Sequence, residues 1–497
     1  YEDDFRPDDR YLMERFITDC TYFDGKIAEK GNYQRITQTK CKKVNADIPL
    51  NIVSIDIECA FDGELYSIGL YSEESIEAHS KEQNVGCLAE QTHSLVFMIG
   101  EEPVNTDLLK NDESSYITYV RDEKSLLYAL IDWIDENDPD IFIGWNVINF
   151  DFNLLQKRCD LHGIKFTIGR DFSTPYWRKN KNSEQQFLDI AGRVVLDGID
   201  LLKTATYNFP SFSLDNVAFE LLGKNKKVDD VDNRLKEITY NFHHNKTALA
   251  EYNLQDCVLV WQIFQHTDLI AFAKLRSKLT GLSIDRVGGS VAAFTNLYLP
   301  KLHRAGYVAP NMGDGQSDLV SPGGYVMDSI PGLYKNVLVL DFKSLYPSII
   351  RTFKIDPMGM IEGLKSPENA IVGFDKAYFS RTQHFLPDII NELWQERDKA
   401  KKDNNGALSQ AIKIIMNSFY GILGSTGCRF FDPRLSGSIT KRSHEILKTT
   451  QTWIEALGHQ VIYGDTDSIF VYIGEEHDES QSRALGKQLQ EFINDKW

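Results

Sequence analysis

The strictest pattern in the sequence is the alternation across residues 51–60, NIVSIDIECA, which puts Val53, Ile55 and Ile57 on one face of an extended segment and Ser54, Asp56 and Glu58 on the other. A chain that folds this segment as a strand must cover the apolar face, and it carries two carboxylates side by side on the opposite one. Residues i and i+2 of a strand can share a divalent cation, although acidic pairs on half-exposed strands are most often simply the solvated face. The segments that follow alternate in kind. DEKSLLYALIDWIDEN (122–137) has helical apolar spacing, and DIFIGWN then predicts a buried strand entering a loop. Such alternation of helix and strand argues for an α/β fold.

Further along, TALAEYNLQDCVLVWQIFQHTDLIAFAKL (247–275) predicts one long amphipathic helix. A turn-rich bridge follows, marked by GLSIDRVGGS and SPGGYVMDSIPG. NVLVLDF is a compact apolar strand ending on Asp341. Residues 386–421 read as two antiparallel helices with a Gly/Asn break at 403–406, and QVIYGDTDSIFVYI (460–473) as two strands around a Gly-Asp turn. At 497 residues, with 42% apolar and 25% charged side chains, the chain has material for three or more packed units and is neither disordered nor a disulfide-stapled module. The seven cysteines form no C-x-x-C pair and fit reduced thiols in a cytoplasm. No apolar run approaches the roughly 20 residues that cross a bilayer, and the acidic start is unlike a signal peptide, so a soluble, cytoplasmic protein without a membrane partner is expected.

Three constellations carry chemistry. Asp151 follows a strand in GWNVINFD, and Tyr252 and Asp256 lie one helical turn apart in YNLQD. Together with Asp56 and Glu58 they are the inventory for two-metal hydrolysis of a phosphodiester, provided the fold brings them into one pocket. A second set is Asp341 at a strand end with Asp465 and Asp467 at a hairpin tip, which suits in-line phosphoryl transfer. The loop after Asp341 could offer the backbone N–H groups of Ser344 and Leu345 to phosphate oxygens. The third set is a pair of stripes, Arg397 and Lys401 on one helix and Lys413, Asn417 and Tyr420 on the next. KIIMNSFYGILG is otherwise apolar, so Lys413 is expected to be costly there unless it meets an anion such as a nucleoside triphosphate. Net charge is −18, which by itself speaks against a phosphate-backbone binder. Residues 391–449, however, hold ten Lys/Arg against six Asp/Glu.

These segments together resemble the family B DNA polymerases, from about residue 48 onward. NIVSIDIE, GWNVINFD and YNLQD look like the three exonuclease motifs of that family, and DFKSLYPSII, KIIMNSFYG and YGDTDS like its polymerase motifs A, B and C, in the expected order. Only 72 residues separate Asp341 from Lys413, which leaves little room for the insertion found in protein-primed members. RYLMERFIT, GGSVAAF, RAGYVAPN and SPGGYVMDS resemble a bacterial branch of the family. The resemblance implies a DNA-templated DNA polymerase with a 3′ to 5′ proofreading exonuclease, serving bacterial replication or repair. It also implies an RNase H-like exonuclease domain followed by a palm and helical fingers.

Carried over by position, Asp56, Glu58, Asp151 and Asp256 would hold the exonuclease ions and Tyr252 would orient the attacking water. Asp341 and Asp467, with the Phe342 carbonyl and with Asp465 nearby, would hold the polymerase ions. Ser344, Leu345, Tyr346, Arg397, Lys401, Lys413, Asn417 and Tyr420 would bind the dNTP. Two Mg²⁺ per site are implied, with Mn²⁺ able to substitute, together with primer–template DNA, dNTPs, and a sliding clamp reached through regions outside this chain. The implied division is 1–47 a remnant of the leading domain, 48–268 the exonuclease domain, 269–320 a connecting segment, 321–385 the first part of the palm, 386–421 the fingers and 422–497 the second part of the palm.

Two departures stand out. Ser321 of SPGG occupies the place where many members have a tyrosine. The chain also ends 30 residues after Asp467, where the family continues into a thumb, so the thumb and most of the leading domain are expected to lie outside it. A stand-alone exonuclease with a degenerate polymerase half is disfavoured by the intact motifs A, B and C. A non-catalytic DNA-binding scaffold would have no use for these carboxylates.

Overall fold

The computed structural model describes residues 2–30, 33–46, 48–73, 92–101, 116–179, 184–224, 231–286, 288–315 and 319–497. Its mixed α/β chain forms two compact units, one of residues 19–275 and 283–288, the other of residues 1–18, 276–282 and 289–497. Helix α1 (Pro7–Glu14) belongs to the second unit, so the first 18 residues pack with the C-terminal half of the chain.

The 19–275 unit opens with an antiparallel hairpin, β1 (Thr21–Glu29) and β2 (Gln34–Lys43). Its centre is a six-stranded mixed sheet of β3 (Ile52–Cys59), β4 (Leu65–Glu73), β5 (Thr92–Ile99), β6 (Ile117–Val120), β7 (Ile141–Gly144) and β10 (Val194–Asp197), in the order β10-β7-β3-β4-β5-β6. A small hairpin, β8 (Tyr176–Lys179) and β9 (Gln186–Asp189), stands apart from that sheet. The helices are α2 (Glu123–Asn137), α3 (Asn153–His162), α4 (Gly198–Thr204), α5 (Leu214–Leu222), α6 (Val231–His244) and α7 (Lys246–His266).

The alternation in β3 has the predicted parity. Val53, Ile55 and Ile57 are buried among Leu126, Leu127, Leu130 and Ile134 of α2. Each aliphatic side chain so buried contributes roughly 1.5–3 kcal/mol. The other face of β3 is covered as well, because α7 packs across β3, β4 and β5. For that reason α7 is buried around much of its circumference, from Leu249 through Asp256 to Phe264, rather than being amphipathic as the sequence suggested. It also ends earlier. Asp268 takes a left-handed backbone (φ 51°), and a second helix, α8 (Leu269–Thr280), follows.

The second unit continues with α9 (Ser290–Arg304), β11 (Val337–Asp341), α10 (Leu345–Phe353), α11 (Pro357–Lys365), β12 (Ile371–Val372) and β13 (Tyr378–Phe379). Next come α12 (Leu386–Lys402), α13 (Gly406–Leu423), α14 (Pro433–Ala456), β14 (Gln460–Asp465), β15 (Ser468–Tyr472) and α15 (Glu479–Lys496). The antiparallel sheet β11-β15-β14 packs on α14 and α15. As predicted, α12 and α13 pack together across a break, at which the Asn405 side chain accepts a hydrogen bond from the Leu408 N–H and so caps α13. All six described cysteines are free thiols, and Cys87 lies outside the described residues. No described helix is long and apolar enough to cross a membrane.

Candidate active sites

Strand β3 presents Asp56 and Glu58 to α7, and Ser54 and Glu58 on that face are 0% and 6% exposed. These carboxylates are therefore not a solvated strand face. Asp256 reaches the same place from α7: Asp56, Glu58 and Asp256 each offer an oxygen, all within 4.8 Å of one another. Between Glu58 and Cys59 the pairing with β4 shifts by a bulge, a feature common where a strand re-aims a side chain at a site. Asp151 stands on a single π-helical turn, Ile148–Phe152, after β7, a local form frequent at functional sites. It lies outside that trio, but its Oδ1 accepts a hydrogen bond from the Ile57 N–H (3.2 Å), between Asp56 and Glu58.

Burial, and then the neighbouring charges of Asp56 and Asp197, push the Asp151 carboxyl well above the ordinary range. An all-oxygen donor set with excess negative charge in a buried place is what a hard divalent cation fits. Tyr252, one turn before Asp256, is half-buried beside a cluster containing Tyr66 and Met98.

Sequence reasoning missed three polar neighbours. Asn253 is fully buried and donates from Nδ2 to Asp56 Oδ2 (2.7 Å). Its place inside YNLQD was a usable signal, unlike anything marking the other two. Arg234 forms a salt bridge with Asp215, and although burial opposes its charge, Tyr252, Asp215 and Asp256 outweigh that effect and raise its pKa. Asp197 ends β10 and is raised to about 6, chiefly by burial and next by Asp200.

In the other unit, Asp341 and Asp465 both register with Ser468, on either side of β15. The Ser468 hydroxyl donates to Asp341 Oδ2 (2.9 Å), and the Phe342 N–H donates to the Asp467 carbonyl (2.8 Å). The three aspartates thus share one end of the sheet. Burial, then Asp341 and Asp465, hold the Asp467 carboxyl above its ordinary range. The tip of the hairpin is strained, because Thr466, a β-branched residue, adopts φ 53°. Three contacts hold it there: its N–H donates to the Tyr325 carbonyl, its hydroxyl to Asp465 Oδ1, and Ser443 donates to its carbonyl.

Helices α10, α12 and α13 pack on one another and bring part of the third constellation together. Arg397 Nη1 donates to Ser344 Oγ (3.2 Å), and the rings of Tyr346 and Tyr420 lie 4.4 Å apart. Leu345 opens α10 and is buried, whereas Ser344 precedes it with φ 51°. Lys401, Lys413 and Asn417 are exposed. The expected cost of Lys413 does not arise: α13 buries Ile412, Ile415, Met416 and Phe419 on one side and leaves Lys413 on the other.

Residues 287–497 match the sequence model of DNA polymerase family B, and residues 1–217 that of the DNA polymerase family B exonuclease domain. The chain belongs to DNA polymerase family B. It is 48% identical over its whole length to DNA polymerase II of Escherichia coli (strain K12), of which it covers 60%. It is 28% identical, over 79% of the chain, to a DNA polymerase of Desulfurococcus sp. (strain Tok), of which it covers 52%. The family B DNA polymerase from the hyperthermophilic archaeon Pyrobaculum calidifontis shares the fold, with a TM-score of 0.71 at 21% identity over all of this chain and 62% of that one. The chain therefore spans about half to three-fifths of the length of these relatives. The resemblance to a bacterial branch of family B agrees with the first of them.

Proposed function

We propose that this chain carries out DNA-templated DNA synthesis in one unit and 3′ to 5′ removal of nucleotides from a DNA end in the other. The observation that carries the proposal is that each compact unit has its own set of converging carboxylates, Asp56 and Glu58 of β3 with Asp256 of α7 in one and Asp341, Asp465 and Asp467 at one end of a sheet in the other. A binding scaffold has no need of either, and a nuclease alone has no need of the second.

In the exonuclease unit, taken here as an RNase H-like domain over 48–268, Asp56, Glu58, Asp151 and Asp256 hold the cations and the Tyr252 hydroxyl orients the attacking water. In the palm, divided as 321–385 and 422–497, Asp341, Asp467 and the Phe342 carbonyl hold them. Two Mg²⁺ per site, replaceable by Mn²⁺, supply activation of the nucleophile and neutralisation of phosphate charge when bound. In the fingers (386–421), Arg397, Lys401 and Lys413 grip the triphosphate. Ser344 and Leu345 offer it backbone N–H groups at the start of α10, whose first turn has donors without intrahelical acceptors. Asn417 and Tyr420 pack against base and sugar, with Tyr346 beneath the sugar. The substrates are primer–template DNA and dNTPs, in bacterial replication or repair, with a sliding clamp as a further partner.

The test is a labelled primer–template incubated with Mg²⁺. Lengthening with dNTPs and shortening without them is the expected pair of results. A chain that shortens primers yet never extends them would leave only the exonuclease reading standing.

A further inference from the structure

Resting on the exonuclease reading of the Asp56–Glu58–Asp256 cluster, we propose that Asn253 is a positioning residue that fixes the Asp56 carboxylate for cation binding. Asn253 is wholly buried on the face of α7 turned to the sheet, three residues before Asp256. Its Nδ2 donates to Asp56 Oδ2 at 2.7 Å, and its Oδ1 accepts from the Ser67 hydroxyl at 3.0 Å. Ser67 is itself fully buried.

The polarity of this chain of bonds is set by chemistry. An ionised carboxylate only accepts, so the amide must turn its NH₂ to Asp56 and its oxygen to Ser67. With one oxygen held, the carboxylate cannot rotate freely, and its disposition toward Glu58 and Asp256 is fixed before a cation arrives. Partners that orient a metal-ligating group typically alter metal affinity 10–100-fold when removed.

A second observation supports the assignment independently. Gly69 lies in the middle of β4, a central strand, where glycine weakens pairing and leaves no side chain to pack. It registers directly with Asp56, and a Cβ added there would come within 3.0 Å of Asn253 Cγ and Oδ1 and 3.1 Å of Nδ2. The strand thus forgoes a side chain at a position where it would press on the amide. The row Asp56, Gly69, Ser67 and Glu58 on paired strands, with Asn253 above it, forms one device.

The experiment uses the full chain carrying Asp341→Ala and Asp467→Ala, so that Mn²⁺ counted by EPR titration reports the exonuclease cluster. Asn253→Ala is expected to weaken Mn²⁺ binding about tenfold or more, and Ser67→Ala, which loosens only the amide, by a smaller factor in the same direction. Thermal unfolding run in parallel identifies the folded variants. A folded Asn253→Ala with unchanged Mn²⁺ affinity overturns the proposal. If Asn253→Ala does not fold, Ser67→Ala decides the matter, and unchanged affinity there overturns it equally. Asp56→Ala separates the two levels. Loss of binding in Asp56→Ala alone removes only the role of Asn253, whereas unchanged binding in Asp56→Ala overturns the exonuclease reading and the proposal with it.

Discussion

Tyr346 follows Asp341 by five residues on the first turn of α10, half-buried with its ring 4.4 Å from that of Tyr420. Burial, followed by the charges of Tyr420, Asp467 and Asp465, pushes its phenol up to about 12, so its hydroxyl stays protonated at neutral pH. Under the proposed function this neutral ring fills the space into which a 2′-hydroxyl would project, and exclusion of ribonucleotides comes from overlap and from an unpaired buried hydroxyl. Tyr346→Ala is expected to lower the ratio of kcat/KM for dNTP over rNTP by roughly tenfold, about 1.4 kcal/mol, while extension with dNTPs persists. An unchanged ratio accompanied by lowered stability would assign the ring to the core. Lys413 stands on the exposed side of α13. Its apolar sequence neighbours suggested burial, yet helical geometry carries those neighbours to one side and leaves the ammonium in water.

Among the elements, the junction of α2, α3 and β4 rests on Glu123. Its Oε1 accepts from the Leu65 N–H (2.9 Å) at the start of β4 and from Arg158 Nε (2.6 Å), and Arg158 and His162, one turn apart on α3, both reach its Oε2. Burial works to raise this carboxyl, but the bonds from Arg158, His162 and Leu65 outweigh it and hold it below its ordinary value. A depressed carboxyl contributes stability that is present above its unfolded value, about 4.3, and lost as pH falls through the folded one. Glu123→Gln should therefore cost about 2–3 kcal/mol in denaturant unfolding at neutral pH, since it leaves Arg158 uncompensated in a partly buried place, and the difference from wild type should shrink in acid. A constant difference from neutral pH down to acid would contradict the ionic account. The sequence marked Glu123 only as the start of a helix, because Arg158, His162 and Leu65 are distant in the chain.

The two carboxylate sets belong to different units, so under the proposed function the two activities should separate. Asp56→Ala with Glu58→Ala is expected to reduce primer shortening roughly a thousandfold or more, about 4 kcal/mol of barrier, with extension retained. Asp341→Ala or Asp467→Ala should do the reverse. Rates of both reactions measured on the same preparations check this, and loss of both activities in either variant would contradict separate sites.

Local pattern alone marks β3, α2, β7, β11, the α12–α13 pair and the β14–β15 hairpin, and with them most of the candidate site residues. The period of two in 51–60, the helical spacing in 122–137 and the breaks at 403–406 and in YGDTDS are local properties, fixed by which side chains share a face. What covers a face is not local and is set by packing between segments far apart in the chain. The Asp56 and Glu58 face looked as if it could be solvated until α7, some 200 residues on, was seen to close over it. That same packing buried α7 nearly all round, set Asn253 against Asp56, and brought the amide close over Gly69. The grouping of residues 1–18 with the C-terminal half likewise depends on contacts between distant segments. Periodicity states which residues look in one direction, and long-range burial and hydrogen bonding decide what they see there.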